Sequence, residues 1–299
     1  MLKQHIARAA AALLFPLSIV AQNTFERGDA AVHLAIVRNN LCCYEGAAVF
    51  DPQGHEKNVE APWIERPQPR REEIDALNPG VEYVYTVPVR TGGVFVMGSP
   101  QSPQLVRFDV SGHVTDIDPL PQEAYPLYGV RSLEVLSDQC TVAYSVLFPL
   151  EAQIFVTPAR LRTVRGYDMC NDRGVDLAMV PEATSPYDSD WPTDIRQLPN
   201  GSLLVQTESD IWWLDRTGPA LKRWPIRGVK LALTPDGDGF WIELPRSCWE
   251  CVGHLLRFDL AAPPEPVVEI TLPGAIHELN VNGEFRAALQ PLKRRSVRR

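Results

Sequence analysis

Closely spaced acidic residues form the first group in this sequence that could do chemistry. Asp188 and Asp190 are two residues apart, and Asp194 follows them along the same stretch. Carboxylate oxygens are the ligands that calcium prefers, and the ion needs several of them. The set therefore forms a partial calcium site with Asp190 as the candidate metal ligand, although the glycine and the terminal glutamate of an EF-hand are missing. A solvated acidic loop without metal is the simpler interpretation, so no cofactor is certain.

Cysteines form the second group, and they are Cys42, Cys43, Cys140, Cys170, Cys248 and Cys251. In an exported chain such residues favour disulfides. The first two and the last two fall in loops predicted for one face of the fold, so they can pair with each other or within each loop. Cys140 and Cys170 remain as the third pair by elimination. That pair is geometrically awkward, because Cys140 is assigned near the start of a second strand and Cys170 after a fourth strand. Cys248 and Cys251 have the spacing of only half a zinc site.

Tryptophans in loops form the third group. Trp63, Trp191 and Trp249 lie in segments predicted to be exposed. Exposed aromatic rings can stack on sugars or peptides. Together with Asp188, Asp190 and Asp194 they predict a negatively charged, aromatic surface. Such a surface suits a cationic or sugar-like ligand, or a partner protein with basic residues.

Strands must position these side chains, because strand signals dominate the sequence. Thr193–Ile226 contains four short apolar runs separated by turn residues, and Asn200 and Gly201 supply the positive φ angles of a tight hairpin. The strand end at Asp215 recurs with its turn at intervals of roughly 45 to 60 residues, a length that suits a four-stranded propeller blade with loop insertions. The sequence therefore predicts an all-β fold, a β-propeller of four-stranded blades, with an irregular β-sandwich as the alternative.

Blade assignment predicts five blades, with six as the alternative, and closure of the ring by both termini. The terminal segments, among them Ala47–Asp51 and Ile276–Val281, combine into one composite blade. Arg70–Leu77 is predicted to be a short helix. The strands assigned to the second complete blade are Arg131–Leu136, Thr141–Leu147, Gln153–Thr157 and Leu161–Val164. The long connections Asn58–Gly80 and Asn171–Asp194 are predicted to lie on the same face as the loops between second and third strands. This is the face predicted to bind ligands.

The blade hairpins carry a resemblance to a known group of proteins. Leu198-Pro199-Asn200-Gly201 and Thr234-Pro235-Asp236-Gly237, with Trp241 shortly after, resemble the blade turns of bacterial gluconolactonase- and regucalcin-type propellers and of streptogramin-lyase-like propellers. Gluconolactonase-like enzymes hold a divalent metal in the central channel with an early glutamate. Glu60-Ala61-Pro62 is similar to that glutamate's Glu-Gly-Pro-like setting but lacks its glycine, so the resemblance implies Glu60 as a candidate metal ligand.

The first residues of the chain predict export. Met1–Ala21 has Lys3 and Arg8 ahead of an apolar run that is too short to span a bilayer, which is the pattern of a signal peptide. Residues 22–290 are then the β-propeller domain, and residues 291–299 are a basic disordered tail. The whole chain carries a net charge of −8, and removal of the basic signal makes it more acidic, which excludes nucleic acid as a partner. We expect a periplasmic or secreted monomer without a transmembrane segment.

Catalytic sequence motifs are absent: the chain has no nucleophile elbow, no zinc-protease helix and no P-loop. The leading hypothesis is therefore an exported binding module that contacts a protein, a small molecule or a sugar through its loop-rich face. The alternative is a metal-dependent hydrolase or lactonase with carboxylates at the central channel. The sequence does not decide between a binding protein and an enzyme.

Overall fold

Short apolar runs separated by turn residues form strands throughout the described part of the chain. The structure is a computed structural model that describes residues 34–40, 43–50, 53–57, 63–64, 67–79, 86–99, 102–120, 130–146, 158–182, 191–216, 218–234, 236–245, 253–272, 275–280 and 285–286. All of them belong to one unit, Val32–Arg299.

The strands are β1 (Leu34–Asn40), β2 (Cys43–Phe50), β3 (Glu56–Lys57), β4 (Trp63–Ile64), β5 (Val87–Val89), β6 (Gly92–Ser99), β7 (Ser102–Asp109), β8 (Val114–Pro119), β9 (Val130–Val135), β10 (Thr141–Val146), β11 (Thr163–Asp168), β12 (Arg173–Met179), β13 (Asp194–Gln197), β14 (Leu203–Gln206), β15 (Ile211–Leu214), β16 (Ala220–Trp224), β17 (Lys230–Leu233), β18 (Gly239–Glu243), β19 (Gly253–Asp259), β20 (Val268–Leu272), β21 (Ala275–Asn280) and β22 (Phe285–Arg286). Two short helices accompany them, α1 (Arg71–Leu77) and α2 (Pro158–Leu161). Helix α1 confirms the helix predicted over Arg70–Leu77.

The strands that the structure describes form sheets of four antiparallel strands. Four sheets use consecutive strands: β5 to β8, β9 to β12, β13 to β16, and β17 to β20. A further sheet is composite, because the C-terminal strand β21 pairs with β1, which continues to β2 and β3. This pairing confirms that Ile276–Val281 and Ala47–Asp51 share a sheet, whereas Glu284–Leu289, predicted for the same blade, is described only at β22, which lies in another sheet. The short strands β4 and β22 pair in parallel, apart from the composite sheet.

Sheet β13–β16 shows how the sequence determines the strands. Strands β13 and β14 meet at a turn in which Gly201 has a φ of +85°, and the Asn200 side chain accepts hydrogen bonds from the backbone and hydroxyl of Ser202. Glycine adopts this left-handed conformation without the steric cost of a Cβ atom. Strand β14 is buried throughout, so an apolar run rather than an alternating pattern marks it. The four strands predicted within Thr193–Ile226 are confirmed.

Adjacent sheets pack through their faces. The first strands β5, β9, β13, β17 and β21 contact one another in succession. Apolar side chains fill the spaces between sheets, and Trp224 packs edge-on against Phe240 between the sheets of β13 and β17. Full burial of one such side chain contributes about 1.5–3 kcal/mol. Radial packing of four-stranded sheets around their first strands is consistent with a propeller-like fold.

The second complete sheet differs from the strands predicted for it. Its third and fourth strands are β11 and β12, not Gln153–Thr157 and Leu161–Val164. Residues 158–161 form helix α2, which begins at Pro158, a residue well suited to a first helical turn. Strand β12 lies within the stretch predicted to be a loop over Asn171–Asp194, so the first part of that loop is strand. Its apolar residues Val175, Leu177 and Met179 alternate along the strand, but Asp172 and Asp176 led to its assignment to an acidic loop.

One disulfide joins the turns of this sheet. Cys140 precedes β10 and Cys170 follows β11, and their sulfur atoms are 2.02 Å apart. These strands are antiparallel neighbours with Thr141 opposite Asp168, so the two turns lie at the same end of the sheet. The geometric objection to this pair was therefore wrong, because Cys170 follows a third strand and not a fourth.

Helices long and apolar enough to cross a membrane are not found among the residues described.

Candidate functional site

The two ends of the sheets differ in what they carry. At one end, which we call the loop face, the first strands begin at residues such as Asp194 and Lys230, and the second strands end at residues such as Val146 and Gln206. At the other end, the hairpin face, first and second strands are joined by short turns such as Leu198–Ser202. The antiparallel order places every second-to-third-strand connection on the loop face. This is the face predicted to bind ligands. One of the two long connections assigned to it is placed differently, because Arg70 of Asn58–Gly80 donates its N–H to the Gly112 oxygen in the β7–β8 turn on the hairpin face.

A buried polar network links the sheets at the loop face. The Ser145 hydroxyl donates to the main-chain oxygen of Thr193 at 2.8 Å and contacts the Ser132 hydroxyl at 3.0 Å. The Thr193 main-chain N–H in turn donates to the oxygen of Gln206 at 2.7 Å. Ser145, Thr193 and Gln206 are all buried. Buried polar groups that are hydrogen-bonded in this way fix the relative position of the strands that carry them.

Asp194 is the centre of this network. Its carboxylate forms two ion-pair contacts with Arg196, at 2.7 and 3.2 Å, and accepts the N–H of Ile195 at 2.8 Å. It also bonds to Ser132 on β9 and to the N–H of Leu231 on β17, so it joins three first strands. Burial raises the pKa of Asp194, although Arg196 and the backbone donors oppose that effect. Its lone pairs are used internally, which makes it a support for the strands.

Gln206 extends the network to the next sheet. Its side-chain nitrogen donates to the Gly228 oxygen at 3.0 Å, at the connection that enters β17. A Cβ atom on Gly228 would overlap the side chain of Ile242. Only glycine therefore allows β17 to lie this close, and the approach is what brings the Gly228 oxygen to Gln206.

A second cluster stands farther out on the loop face, in the connection between β14 and β15. Asp210 is buried, and its carboxylate accepts the Arg223 Nε–H at 2.7 Å and the Ser209 hydroxyl at 2.8 Å. The guanidinium carbon of Arg223 lies 5.3 Å from the ring centre of Trp212, the residue opposite it across the β15–β16 pair. Thr207 closes the loop, because its hydroxyl accepts the Asp210 N–H at 3.0 Å. The cluster holds a partly exposed guanidinium in one orientation.

The hairpin face carries a different charged cluster. Arg107 on β7 pairs with Asp116 and, at 2.9 Å, with Asp118, and it donates to the main-chain oxygen of Met169 at 3.1 Å. Burial raises the pKa of Asp118, and Arg107 opposes the effect. Met169 lies in the disulfide-linked turn of the adjacent sheet, so this cluster ties the two sheets together. Within the described residues, no group of three or more His, Cys, Asp or Glu side chains is arranged to hold a metal ion.

The predicted site residues fall into three sets. Trp191 is only 8% exposed and packs in the apolar cluster that contains Leu133 and Tyr144, so the prediction that it is an exposed stacking ring was wrong. Its large apolar area favours the space between sheets over the surface. Asp194 lies on the loop face but is paired with Arg196, and therefore does not contribute a free charge to an acidic surface.

Other predicted residues are placed only by their backbone or lie outside the described residues. Trp63 is in β4, paired with Phe285, and Cys43 begins β2 at the connection from β1. The residues beyond the described part of the chain are Glu60, Asp188, Asp190, Trp249, Cys42, Cys248 and Cys251. The metal site predicted from Glu60 and Asp190 therefore stays a prediction.

Arg223 is the residue that the sequence predictions missed. The sequence does contain a clue to it, namely a basic residue on one strand opposite an aromatic residue on the preceding strand. That signal needs the register, because only the pairing of Trp212 with Arg223 shows which residues are opposite.

Comparisons with known proteins show likeness in structure only. No protein-family model matches the sequence, and no curated protein matches it. The chain is similar to hydrazine synthase from Kuenenia stuttgartiensis, at 14% identity and a TM-score of 0.43, over 65% of this chain and 52% of that chain. It therefore spans about half the length of the hydrazine synthase chain. It is also similar to a candidate 6-phosphogluconolactonase from Bacteroides uniformis, at 11% identity and a TM-score of 0.43, over 83% of this chain and 84% of that chain.

A third structure, TolB from Acinetobacter baumannii, matches at 11% identity and a TM-score of 0.38, over 85% of this chain and 67% of that chain. At these identities the likenesses concern the fold alone, and we base no functional statement on them. The resemblance to gluconolactonase- and regucalcin-type propellers has no support from a sequence family.

Proposed function

We propose that this protein is a binding module that contacts a ligand or partner protein through its loop face. The cluster of Asp210, Arg223 and Trp212 carries the proposal. A buried carboxylate, an oriented guanidinium and an aromatic ring on a hydrogen-bonded loop form a preorganised surface, and preorganisation reduces the entropy lost on binding. Arginine and tryptophan are also the residue types that dominate binding energy at interfaces.

The fold supports the proposal by keeping this surface rigid. The network around Asp194 joins β9, β13 and β17 immediately beside the cluster on the loop face. We further propose that the sheets form one five-bladed propeller and that the β21–β1 pairing closes the ring. The successive contacts among β5, β9, β13, β17 and β21 support that arrangement. Residues 22–290 would make up the domain, and residues 291–299 its basic tail.

We propose export of the protein to the periplasm or the medium, as a monomer, after removal of residues 1–21. The Cys140–Cys170 disulfide is compatible with an oxidising compartment. Sequencing of the N-terminus of the protein from its source organism should give Gln22 or a residue close to it. An intact Met1 on the mature protein would contradict export.

A photocrosslinking experiment tests the binding face. Val229 is 50% exposed and lies on the loop face before β17, whereas Val110 is 80% exposed and lies in the β7–β8 turn on the hairpin face. A benzophenone amino acid at either position should leave the fold intact, since both side chains point into solvent. After illumination in the source organism, mass spectrometry should find a defined adduct from position 229 and none from position 110. Adducts from position 110 alone, or from neither position, would contradict the proposal.

A further inference from the structure

Arg223 has two terminal nitrogens without an acceptor among the residues that the structure describes. Its Nε–H is bonded to Asp210, and its planar face rests near Trp212. Within the part of the chain that the structure describes, Nη1 and Nη2 contact no acceptor, and 31% of the side chain is exposed. A guanidinium presents its donors in a fixed fork, and two parallel N–H groups on one edge match the two oxygens of a carboxylate.

Asp210 and Trp212 hold the Arg223 guanidinium in one orientation. Asp210 is 98% buried, and it is itself held by the Ser209 hydroxyl and by the Thr207 side chain through the Asp210 N–H. A buried carboxylate is costly unless it is paired, so the chain uses it to fix one edge of the guanidinium. Because Trp212 restricts the planar face, the edge with Nη1 and Nη2 is left toward solvent. An ordinary surface arginine would instead lose side-chain entropy when it binds.

Charge argues for a singly charged ligand. The fork is one guanidinium whose charge is partly balanced by Asp210, in a chain with a net charge of −8. Asp210 and the acidic chain repel a phosphate dianion more strongly than a singly charged carboxylate, which needs only the two free donors. The half-buried ring of Trp212 adds apolar surface beside the position that the carbon of the carboxylate would occupy.

We propose that Nη1 and Nη2 of Arg223 bind a carboxylate group, either of a free organic acid or of a partner's peptide chain. This ligand is opposite in charge to the cationic ligand that the acidic residues of the sequence predict. The proposal specifies the ligand chemistry of the loop face and therefore rests on the function proposed above. The two proposals can fail separately, because the loop face can bind a partner that places no carboxylate at Arg223.

The test uses two pairs of probes that differ only in the carboxylate. Acetate is compared with acetamide, and the peptide acetyl-Gly-Ser-Gly-Leu with a free C-terminus is compared with its amide, at constant ionic strength. Binding is followed by the NMR signals of nitrogen-15-labelled arginine side chains. Acetate and the peptide acid should shift the Arg223 signals, and the two amides should not. A peptide acid that binds at least about tenfold tighter than acetate assigns the carboxylate to a peptide, and comparable affinities assign it to a small acid.

Variants separate the fork from plain positive charge. Arg223→Lys keeps the charge and its pairing with Asp210 but loses the fork, and should weaken binding of the carboxylates about tenfold or more. Arg227→Lys makes the same change at an exposed arginine close by on the loop face and should leave the affinity unchanged. Trp212→Leu should weaken binding less than Arg223→Lys. Melting temperatures of the variants establish that each is folded.

Two results would overturn the proposal. One is equal affinity of the Arg223→Lys variant and the unchanged protein for acetate and for the peptide acid. The other is absence of any shift at Arg223 with either probe up to about 100 mM, a concentration at which even a weak contact gives partial occupancy. If either result is found and position 229 still gives a crosslinked adduct, the proposed binding face is retained and only the proposed carboxylate ligand is rejected.

Discussion

At the residue scale, the protein uses two aspartates of the loop face as supports rather than as ligands. Asp194 holds Arg196 and three first strands, and Asp210 holds Arg223. Asp210 is buried and Asp194 is partly buried, and each carboxylate has an arginine partner, yet the two pairs differ in what the arginine can do. Arg196 gives both terminal nitrogens to Asp194, whereas Arg223 gives only Nε to Asp210. The first pair is closed, and the second leaves donors for another molecule.

Replacement of Asp194 should change how stability depends on pH. Burial raises its pKa in the folded protein, so between its ordinary value and the raised value the folded state binds more protons than the unfolded state. This residue's contribution to the free energy of unfolding is therefore present at low pH and is lost as pH rises through that window. Asp194→Asn should remove the contribution, so the stability difference between the unchanged protein and the variant should shrink with rising pH. Urea unfolding at a series of pH values measures it.

Asp168→Asn is the matched control for that prediction. Hydrogen bonds from the Asn171 side chain, and from the N–H groups of Cys170 and Asn171, lower the pKa of Asp168. For this residue the stability difference should grow with rising pH, which is the opposite sign. The same sign for both variants would show that the raised pKa of Asp194 is not expressed in stability.

At the element scale, the turns of sheet β9–β12 connect it to both neighbours. The Arg90 N–H donates to the Gln139 side chain at 3.0 Å, and the Ser137 N–H donates to the Gln197 side chain at 2.6 Å. The disulfide joins the β9–β10 turn, which contains Cys140, to the β11–β12 turn, in which the Met169 oxygen accepts a hydrogen bond from Arg107. Asp138 and Asp168 each cap one of the two turns, so the turns keep their local hydrogen bonds without the sulfur bridge. The bridge therefore acts mainly on the unfolded chain.

Replacement of Cys140 and Cys170 by serine should lower stability without changing the fold. A disulfide that closes a loop of this length contributes about 2–4 kcal/mol, chiefly by restricting the unfolded chain. The double variant should lose about that much free energy of unfolding in urea, while its far-ultraviolet circular dichroism stays unchanged. Dithiothreitol should destabilise the unchanged protein more than the double variant, in which only the other four cysteines can still be reduced. If dithiothreitol lowers the stability of both proteins equally, the stability that it removes comes from other cysteines.

The sequence predicted strands well where a turn residue and a buried apolar run both mark them. Sheet β13–β16 was found because Gly201 marks its turn and because Leu203, Leu204 and Val205 form a buried run. Strand β12 was missed, since its alternating residues Val175, Leu177 and Met179 were assigned together with Asp172 and Asp176 to an acidic loop. The candidate site was predicted as a face but not as residues. Burial of Trp191 and pairing of Trp212 with Arg223 depend on packing and register, which no local pattern contains.

At the scale of the whole molecule, the composite sheet makes stability depend on the last described strands. Strand β21 covers the edge of β1, with Ile36 opposite Leu279 in the register. A strand edge without a partner exposes unpaired N–H and C=O groups and promotes aggregation. The fold therefore needs both ends of its sequence in place at once.

Truncation after Leu272 tests this dependence. The shortened protein lacks β21 and should lose its cooperative unfolding transition and aggregate, because the edge of β1 is then uncovered. Truncation after Arg286 keeps β21 and β22 and should unfold like the full chain. Urea titration and size-exclusion chromatography compare the two. A cooperative, monomeric protein ending at Leu272 would contradict the role of β21.

The β21–β1 pairing also sets an order of events during synthesis. Strand β1 is among the first parts of the chain to leave the ribosome, and its partner β21 is among the last, with Ala35 finally opposite Asn280. Contacts between such distant residues form late, because loop closure must precede them. Strand β1 can pair with β2 at once, but its other edge has no partner until translation is nearly complete. If the chain is exported before it folds, as proposed above, that edge never has to be protected in the cytoplasm.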